Sequence, residues 1–252
     1  MPNRNTLFIG KVSHCFPTLD STNRYAQELL ATSKPTEGTT VVTYHQTAGR
    51  GQAGSTWEGE PGKNIAFSVV FYPHFLPVSR QFLLNKAVAL GVLDLLFTYL
   101  DRPVAVKWPN DLYVGGCKVA GILIQNVLSG RRFASSIVGI GLNVNQAVFP
   151  PSLPNPTSMR LESGQSYALE PLVDELCYRL ERRYLQLRQG AFAALRSDYR
   201  RHLYRLGEST RFERPGGAAF TGRISGVNEQ GKLLVDRAGD TEAFDLKMIT
   251  YR

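Results

Sequence analysis

The sequence predicts an α+β protein with a mixed central β-sheet, flanking helices and a small all-β unit at the C-terminal end. Runs with strand composition alternate with segments of helical period as far as residue 206. After residue 206 the chain holds short β-like runs separated by Gly, Asn and Asp. The 252 residues suffice for one large and one small domain, which we place at 1–206 and 207–252.

The first predicted elements are a helix and two strands. Ser21 is a predicted N-cap, and apolar residues then recur at helical spacing as far as Leu30. Residues 39–45 and 64–72 have strand composition. The glycine-rich residues 49–63 between them predict a loop.

The longest apolar stretch, residues 82–100, predicts a buried helix. Ser79 is its expected N-cap, and the period ends near Tyr99. Polar and charged residues, Asn85 and Asp94 among them, interrupt the stretch. We therefore expect a core helix and not a membrane span.

Strands and turns dominate the centre of the chain. The predicted strands are residues 104–107, 112–114, 118–127 and 133–144. Gly115-Gly116 predicts a hairpin turn, and prolines then crowd a loop at 150–156.

The last part of the chain changes from helical to β character. Residues 170–189 and 191–206 have a helical period. The β-like runs 210–213, 219–227, 232–236 and 242–246 predict a small β-barrel of about 45 residues.

Charge and cysteine use limit the class of protein. The net charge of +8 favours anionic partners such as nucleotides, nucleic acid or an acidic protein, although a solvated basic surface explains it equally well. Cys15, Cys117 and Cys177 have no C-x-x-C spacing, and the four histidines are scattered. These patterns argue against a zinc site or a disulfide framework and fit a reducing cytoplasm. No apolar leader opens the chain.

Two polar segments lie near predicted turns in the first quarter of the chain. Asp20-Ser21-Thr22-Asn23 opens a helix, where an ordinary N-cap is the simpler explanation. Residues 46–57 are rich in glycine and hold Arg50 between two glycines. A guanidinium in that setting matches a phosphate or carboxylate, whereas the alternative is a flexible surface loop. The spacing fits neither a Walker loop nor a dinucleotide-binding motif.

Two further segments follow. In Lys107-Trp108-Pro109-Asn110-Asp111 an amide and a carboxylate meet at a turn, and oxygen ligands of this kind suit Mg²⁺ beside nucleotide phosphates. Lys118 begins an apolar strand and is either a snorkelling edge residue or a charge aimed into a pocket. Glycines within residues 139–145 indicate close approach of a ligand, or a β-bulge.

Together these segments closely resemble biotin–protein ligases, which are related to lipoate ligases and octanoyltransferases. D-S-T-N, Q-T-A-G-R-G-x-x-G-x-x-W, K-W-P-N-D-L, G-x-K-x-A-G-I-L and G-I-G-x-N-x-N occur in the family's order within residues 18–145. The resemblance implies a class II synthetase-like fold with an SH3-like C-terminal domain. It also implies an enzyme that uses ATP to activate biotin as biotinyl-5′-AMP and attaches it to a lysine of a biotin carboxyl carrier protein.

The resemblance also implies the site residues. Those expected to bind biotin are Ser21, Thr22, Asn23, Gln46, Gly49, Arg50, Gly51, Lys118, Gly121 and Ile122. Those expected to bind ATP are Arg50, Gly51, Gln52, Trp57, Lys107, Asn110, Asp111 and Asn143. The expected catalytic residues are Lys118, Arg50 and Asp111, with Asp111 also at Mg²⁺.

The chain departs from the family pattern at one position. A well-studied branch has arginine two places after the loop arginine, where this chain has Gln52. One cation of the phosphate cradle is thereby absent, which puts tight retention of the adenylate in doubt.

Other functions remain to be separated from this one. Lipoate or octanoate transfer uses the same fold, and a catalytically silent biotin-binding protein has no need of Lys118 and Asp111. Some relatives are DNA-binding repressors, but only about 17 residues precede the matched segment, too few for a helix-turn-helix module. We expect a cytoplasmic enzyme without a membrane or specific DNA partner, and the resemblance suggests a homodimer.

Overall fold

The computed structural model describes residues 5–217 and 219–251, which form two β-sheets and five α-helices. The strands of the larger sheet are β1 (Ser13–Phe16), β2 (Thr40–Thr43), β3 (Asn64–Phe71), β4 (Val104–Lys107), β5 (Asp111–Val114), β6 (Cys117–Ser129) and β7 (Arg132–Asn143). Their order is β1-β2-β3-β7-β6-β5-β4. β1 and β2 are parallel, and the other neighbouring pairs are antiparallel. The predicted mixed sheet is confirmed.

Helices cover both faces of this sheet. They are α1 (Thr22–Thr32), α2 (Phe82–Tyr99), α3 (Met159–Ser163), α4 (Leu169–Arg188) and α5 (Phe192–Arg201). The alternation along β3 separates the faces: Phe67 and Val69 join the main apolar core with α2 and α4, whereas Val70 packs with Ala26 of α1. Ser68, which lies between Phe67 and Val69, faces α1 and places a buried polar side chain on that side of the sheet.

The helix α2 is apolar around its whole circumference because it packs between the sheet, α4 and α5. By length and composition this helix could cross a membrane, but 67% of its most apolar stretch is buried inside the fold. It serves as the central core helix, as expected.

A second, five-stranded antiparallel sheet forms the tail. Its strands are β8 (Ser209–Glu213), β9 (Ala219–Val227), β10 (Leu233–Arg237), β11 (Asp240–Phe244) and β12 (Thr250–Tyr251), in the order β11-β10-β9-β8-β12. Its buried residues, such as Phe212 and Ile224, belong to the same apolar core as α2. The domain boundary after residue 206 stays a prediction.

Two contacts join the tail to the turn after β4 and to the helix α2. The indole N–H of Trp108 donates to the Gly231 carbonyl at 2.8 Å. The buried Lys86 of α2 points its Nζ at the Val227 carbonyl, 3.4 Å away. The connection between β9 and β10 is thus held by the turn after β4, and the end of β9 by α2.

Two predicted helix ends were wrong. Ser79 does not cap α2, because it lies in a 3₁₀ turn, Val78–Arg80, and the helix begins only at Phe82. The last predicted helix ends at Arg201 and not at residue 206. There the chain turns to pair with β4, where the Val106 N–H donates to the His202 carbonyl and the Tyr204 N–H to the Val106 carbonyl.

Candidate active site

A cavity of about 700 Å³, including its open mouth, lies on the α1 face of the larger sheet. It brings together the predicted residues Ser21, Thr22, Asn23, Gln46, Arg50, Gly51, Gln52, Trp57, Asn110, Asp111, Lys118, Gly121 and Ile122. It is also lined by Ser55, Thr56, Leu123, Gly139, Ile140 and Gly141, which were not among the predicted site residues. Four separate segments of the sequence therefore meet at one site.

Glycines form the floor of this cavity. Gly121 of β6 and Gly141 of β7 are direct register partners, and Gly139 lies two residues away on the same face. A Cβ at Gly139 would strike the amide of Asn23, and one at Gly141 would lie 2.5 Å from Cζ2 of Trp57. Glycine is needed here because other side chains rest on the bare backbone.

A β-bulge brings Lys118 to the same face as these glycines. Residues 118 and 121 are three apart and would point to opposite faces of a regular strand. The register shifts beside β5, where Leu112 pairs with Ala120 but Tyr113 pairs with Lys118. The extra residue, Val119, turns the Lys118 side chain back over Gly121, as bulges near functional sites often do.

Charges gather at one end of the cavity. Lys118 Nζ lies 2.8 Å from the Asp111 carboxylate and 5.7 Å from the centre of the Trp57 ring. Asp111 reaches this face because it is the register partner of Gly121. Arg50 is exposed at the mouth, and none of the described residues forms a salt bridge with it. The cavity therefore offers two cations and one carboxylate.

The loop that carries Arg50 is closed by its own backbone. Trp57 N–H donates to the Gly49 carbonyl at 3.0 Å, and Gly51 N–H donates to the Ser55 carbonyl at 2.7 Å. Side chains at Gly49 and Gly51 would strike these partners. The glycines let the loop fold narrowly over the cavity, with Trp57 as its inner wall.

The opposite end of the cavity is polar and uncharged. The Gln46 carbonyl oxygen accepts hydrogen bonds from Thr22, from the N–H at 2.8 Å and from Oγ1 at 3.2 Å. Ser68 Oγ lies 2.7 Å from both Thr22 Oγ1 and Asn23 Oδ1. Because Gln46 uses its carbonyl for Thr22, its amide N–H groups remain for a ligand.

The side chain of Asn23 crosses the floor of this polar end. Its Nδ2 donates to Gln125 Oε1 at 2.9 Å. Ser68 and Gln125 were missed from the sequence, although a lone serine inside the apolar strand β3 was a usable signal. Ser21 caps α1 as predicted, since its hydroxyl accepts from Arg24 N–H.

Asn110 holds the backbone of β6. Its Nδ2 donates to the Ile122 carbonyl at 2.6 Å, and Ile122 N–H donates to the Asn110 carbonyl at 2.9 Å. These bonds fix the Ile122 backbone at the cavity wall, whereas its side chain lies on the other face of the sheet and packs in the main apolar core with Phe67 and Ile140.

Three predicted residues, Gly49, Lys107 and Asn143, do not line the cavity. The ammonium of Lys107 donates to the Tyr113 hydroxyl at 3.0 Å and lies over the Tyr251 ring of the tail. Burial lowers the pKa of Lys107, and the neighbouring Asp111 partly opposes that shift. Asn143 Nδ2 donates to the Thr157 carbonyl at 2.9 Å. Ligand contacts for these residues stay a prediction.

Comparison with protein families decides the relationship. The model of the biotin/lipoate A/B protein ligase family matches residues 15–143, the part of the chain that builds the cavity. The chain belongs to this family. The resemblance found in the sequence motifs is thus confirmed.

Individual members of the ligase family match over most of their length. The biotin–[acetyl-CoA-carboxylase] ligase of Mycobacterium tuberculosis is 33% identical over 225 residues, which cover 88% of this chain and 82% of that protein. The bifunctional ligase/repressor BirA of Bacillus subtilis is 29% identical over 221 residues, covering 86% and 67%. The Aquifex aeolicus biotin protein ligase in complex with biotin and ATP superposes with a TM-score of 0.81 at 25% identity, covering 96% and 99%.

Proposed function

We propose that this ligase family member uses ATP to convert biotin to biotinyl-5′-AMP. It then transfers biotin to a lysine of a biotin carboxyl carrier protein, such as that of acetyl-CoA carboxylase, and releases AMP. The observation that carries this proposal is the meeting of Arg50 and Lys118 at one cavity with a glycine floor. The names of the matched relatives point to the same reaction.

The two cations reduce the electrostatic repulsion between the two reacting anions in the first step. The biotin carboxylate must approach the α-phosphate of ATP, and these anions repel one another. Arg50 and Lys118, which both line the cavity, offset that repulsion and stabilise the charge that develops on the phosphate. A carboxylate oxygen then bonds to the α-phosphorus, and the bond to pyrophosphate breaks.

The polar end fits the ureido ring of biotin. That ring presents one carbonyl acceptor and two N–H donors. Gln46 offers amide N–H groups, whereas the Thr22 hydroxyl and the Asn23 amide supply further polar atoms on the same wall. A buried site that left one of these groups unpaired would lose about 1–3 kcal/mol.

Asp111 is suited to bind Mg²⁺, the role expected of it from the motif. Among the described residues, no group of three or more His, Cys, Asp or Glu side chains could hold a metal ion. Mg²⁺ at nucleotides is usually held by one or two carboxylates together with phosphates and water, and Asp111 provides one such carboxylate in the cavity wall. When bound, the ion neutralises phosphate charge.

The closed loop at residues 49–57 protects the mixed anhydride from water. The carrier lysine then attacks the acyl carbon, an amide bond forms, the bond to AMP breaks and the amine loses a proton. No covalent enzyme intermediate is required.

Biotin-dependent exchange of pyrophosphate into ATP tests the proposal, with lipoate and octanoate as control substrates. We expect exchange with biotin, and a fall of about 10²–10³-fold for Lys118→Ala, the usual effect of removing a group that stabilises developing charge. Lys34→Ala, which changes an exposed lysine outside the cavity, is the matched control. Wild-type exchange by Lys118→Ala, or a preference for lipoate, would refute the assignment.

The remaining expectations belong to the same proposal. We place the reaction in the cytoplasm, where the lack of a disulfide among Cys15, Cys117 and Cys177 suits a reducing environment. An acidic carrier domain complements the net charge of +8. Homodimer formation and the lack of specific DNA binding are further parts of the proposal.

A further inference from the structure

We propose that Thr157 and Glu162 are positioning residues that hold Lys118 in place for the reaction. The inference deepens the proposed function and rests on it. Neither residue lines the cavity. Their effect passes through the backbone of Lys118.

The bulged start of β6 needs support from outside the sheet. Pairing between β6 and β7 begins at Ala120 and Leu142, so Lys118 lies beyond the end of that ladder. The segment 155–157 takes the place of a neighbouring strand. Lys118 N–H donates to the Asn155 carbonyl at 2.7 Å, and Thr157 N–H donates to the Lys118 carbonyl at 2.8 Å.

Side chains anchor this segment in turn. Thr157 Oγ1 donates to Glu162 Oε1 at 2.6 Å, and Glu162 Oε2 accepts from Arg102 at 2.6 Å. Thr157 is 3% exposed and the Glu162 side chain 9%, whereas Arg102 lies at the surface. A chain of hydrogen bonds therefore runs from the surface to the backbone of Lys118.

Asn143 of β7 belongs to the same series of hydrogen bonds. Its Nδ2 donates to the Thr157 carbonyl. Thr157 is thus held by its carbonyl, its hydroxyl and its N–H, through three different partners. A residue fixed in this way limits where the bulge lies, and the bulge decides that the Lys118 ammonium meets Asp111 over Gly121.

The test compares three variants in the exchange assay. Thr157→Val keeps the shape but lacks the hydroxyl, Thr157→Ser restores it, and Ser163→Ala removes a hydroxyl that bonds within α3 and its end. We expect Thr157→Val to lower kcat about tenfold, because small misplacements of reacting groups reduce rates by up to ~10²-fold. The KM for biotin should not change, and Thr157→Ser and Ser163→Ala should match the wild type.

A double-mutant cycle separates positioning from general stability. In the Lys118→Ala background, Thr157→Val should lower kcat no further, because its effect acts through the missing ammonium. An equal loss with and without Lys118 would overturn the proposal. If Thr157→Val fails to fold, Glu162→Ala replaces it in the same cycle.

A measurement that does not depend on catalysis distinguishes the positioning role of Thr157 from the proposed ligase activity. Acetylation of Lys118 by an amine-reactive reagent, measured by peptide mass spectrometry, should be faster in Thr157→Val, while that of Lys34 stays the same. If the wild type shows no biotin-dependent exchange, the proposed function fails and this labelling still tests the positioning. Equal labelling of Lys118 in both proteins would reject the inference.

Discussion

Replacing Gly141 by alanine tests the contact between the cavity floor and the Trp57 ring. The new Cβ would lie 2.5 Å from Cζ2 and 2.6 Å from Cδ2 of the indole, well inside the normal contact distance of about 3.5–4.0 Å. The ring must therefore move by about 1 Å or more. Overpacking of this kind costs about 1–3 kcal/mol, and each kcal/mol lowers the Tm by roughly 2–4 °C in a chain of this size.

Calorimetry of the single and double variants measures this contact. The three atoms nearest to the new Cβ all belong to the indole, so Trp57→Ala removes them, and alanine in a strand then stabilises by about 0.5–1 kcal/mol relative to glycine. We therefore expect the effect of Gly141→Ala on the Tm to change sign when Trp57 is absent. The same loss of stability in both backgrounds would show that the ring does not rest on Gly141.

Three other predictions concern separate parts of the molecule. Gln52→Arg adds a cation at the cavity, and its charge-assisted hydrogen bond to the adenylate phosphate is worth about 1.5–3 kcal/mol. Release of labelled biotinyl-5′-AMP should therefore slow by about tenfold or more, and unchanged release would contradict this prediction. The buried Glu181 carboxylate accepts from the backbone N–H groups of residues 7–9, so Glu181→Ala should speed their hydrogen exchange and lower the Tm, with Glu181→Gln intermediate. Burial lowers the pKa of Lys86 from 10.5 to about 8, so between these pH values the unfolded chain binds more protons than the folded one. The contribution of Lys86 to the free energy of unfolding should therefore rise with pH across that window, and calorimetry should find that the Tm of the wild type relative to that of Lys86→Met increases from pH 8 to pH 10.5.

The sequence predicts the strands and the motif residues well because both depend on local patterns. The apolar alternation of β3 and the glycines of β7 are visible without a partner strand. Segments rich in glycine and polar residues were expected to form one pocket, and Arg50 and Lys118 do line the same cavity.

The sequence does not predict how strands align or where an extra residue is inserted. Nothing in the composition of β6 marks Val119 as the residue of a bulge, because a buried β-branched side chain is equally typical of a regular strand. The position of Lys107 depends on Tyr251, which is far away in the sequence. Such outcomes follow from tertiary packing and not from local propensity.

The turn between β9 and β10, whose Gly231 carbonyl accepts the Trp108 indole N–H, requires glycine at position 231. Gly231 has φ of +89°, and a Cβ there would lie 2.5 Å from the Phe82 ring. A chimaeric protein that borrows its C-terminal sheet from another source must therefore keep glycine at this point. It must also keep the length of the connection between β9 and β10, because that connection places the Gly231 carbonyl at the Trp108 indole.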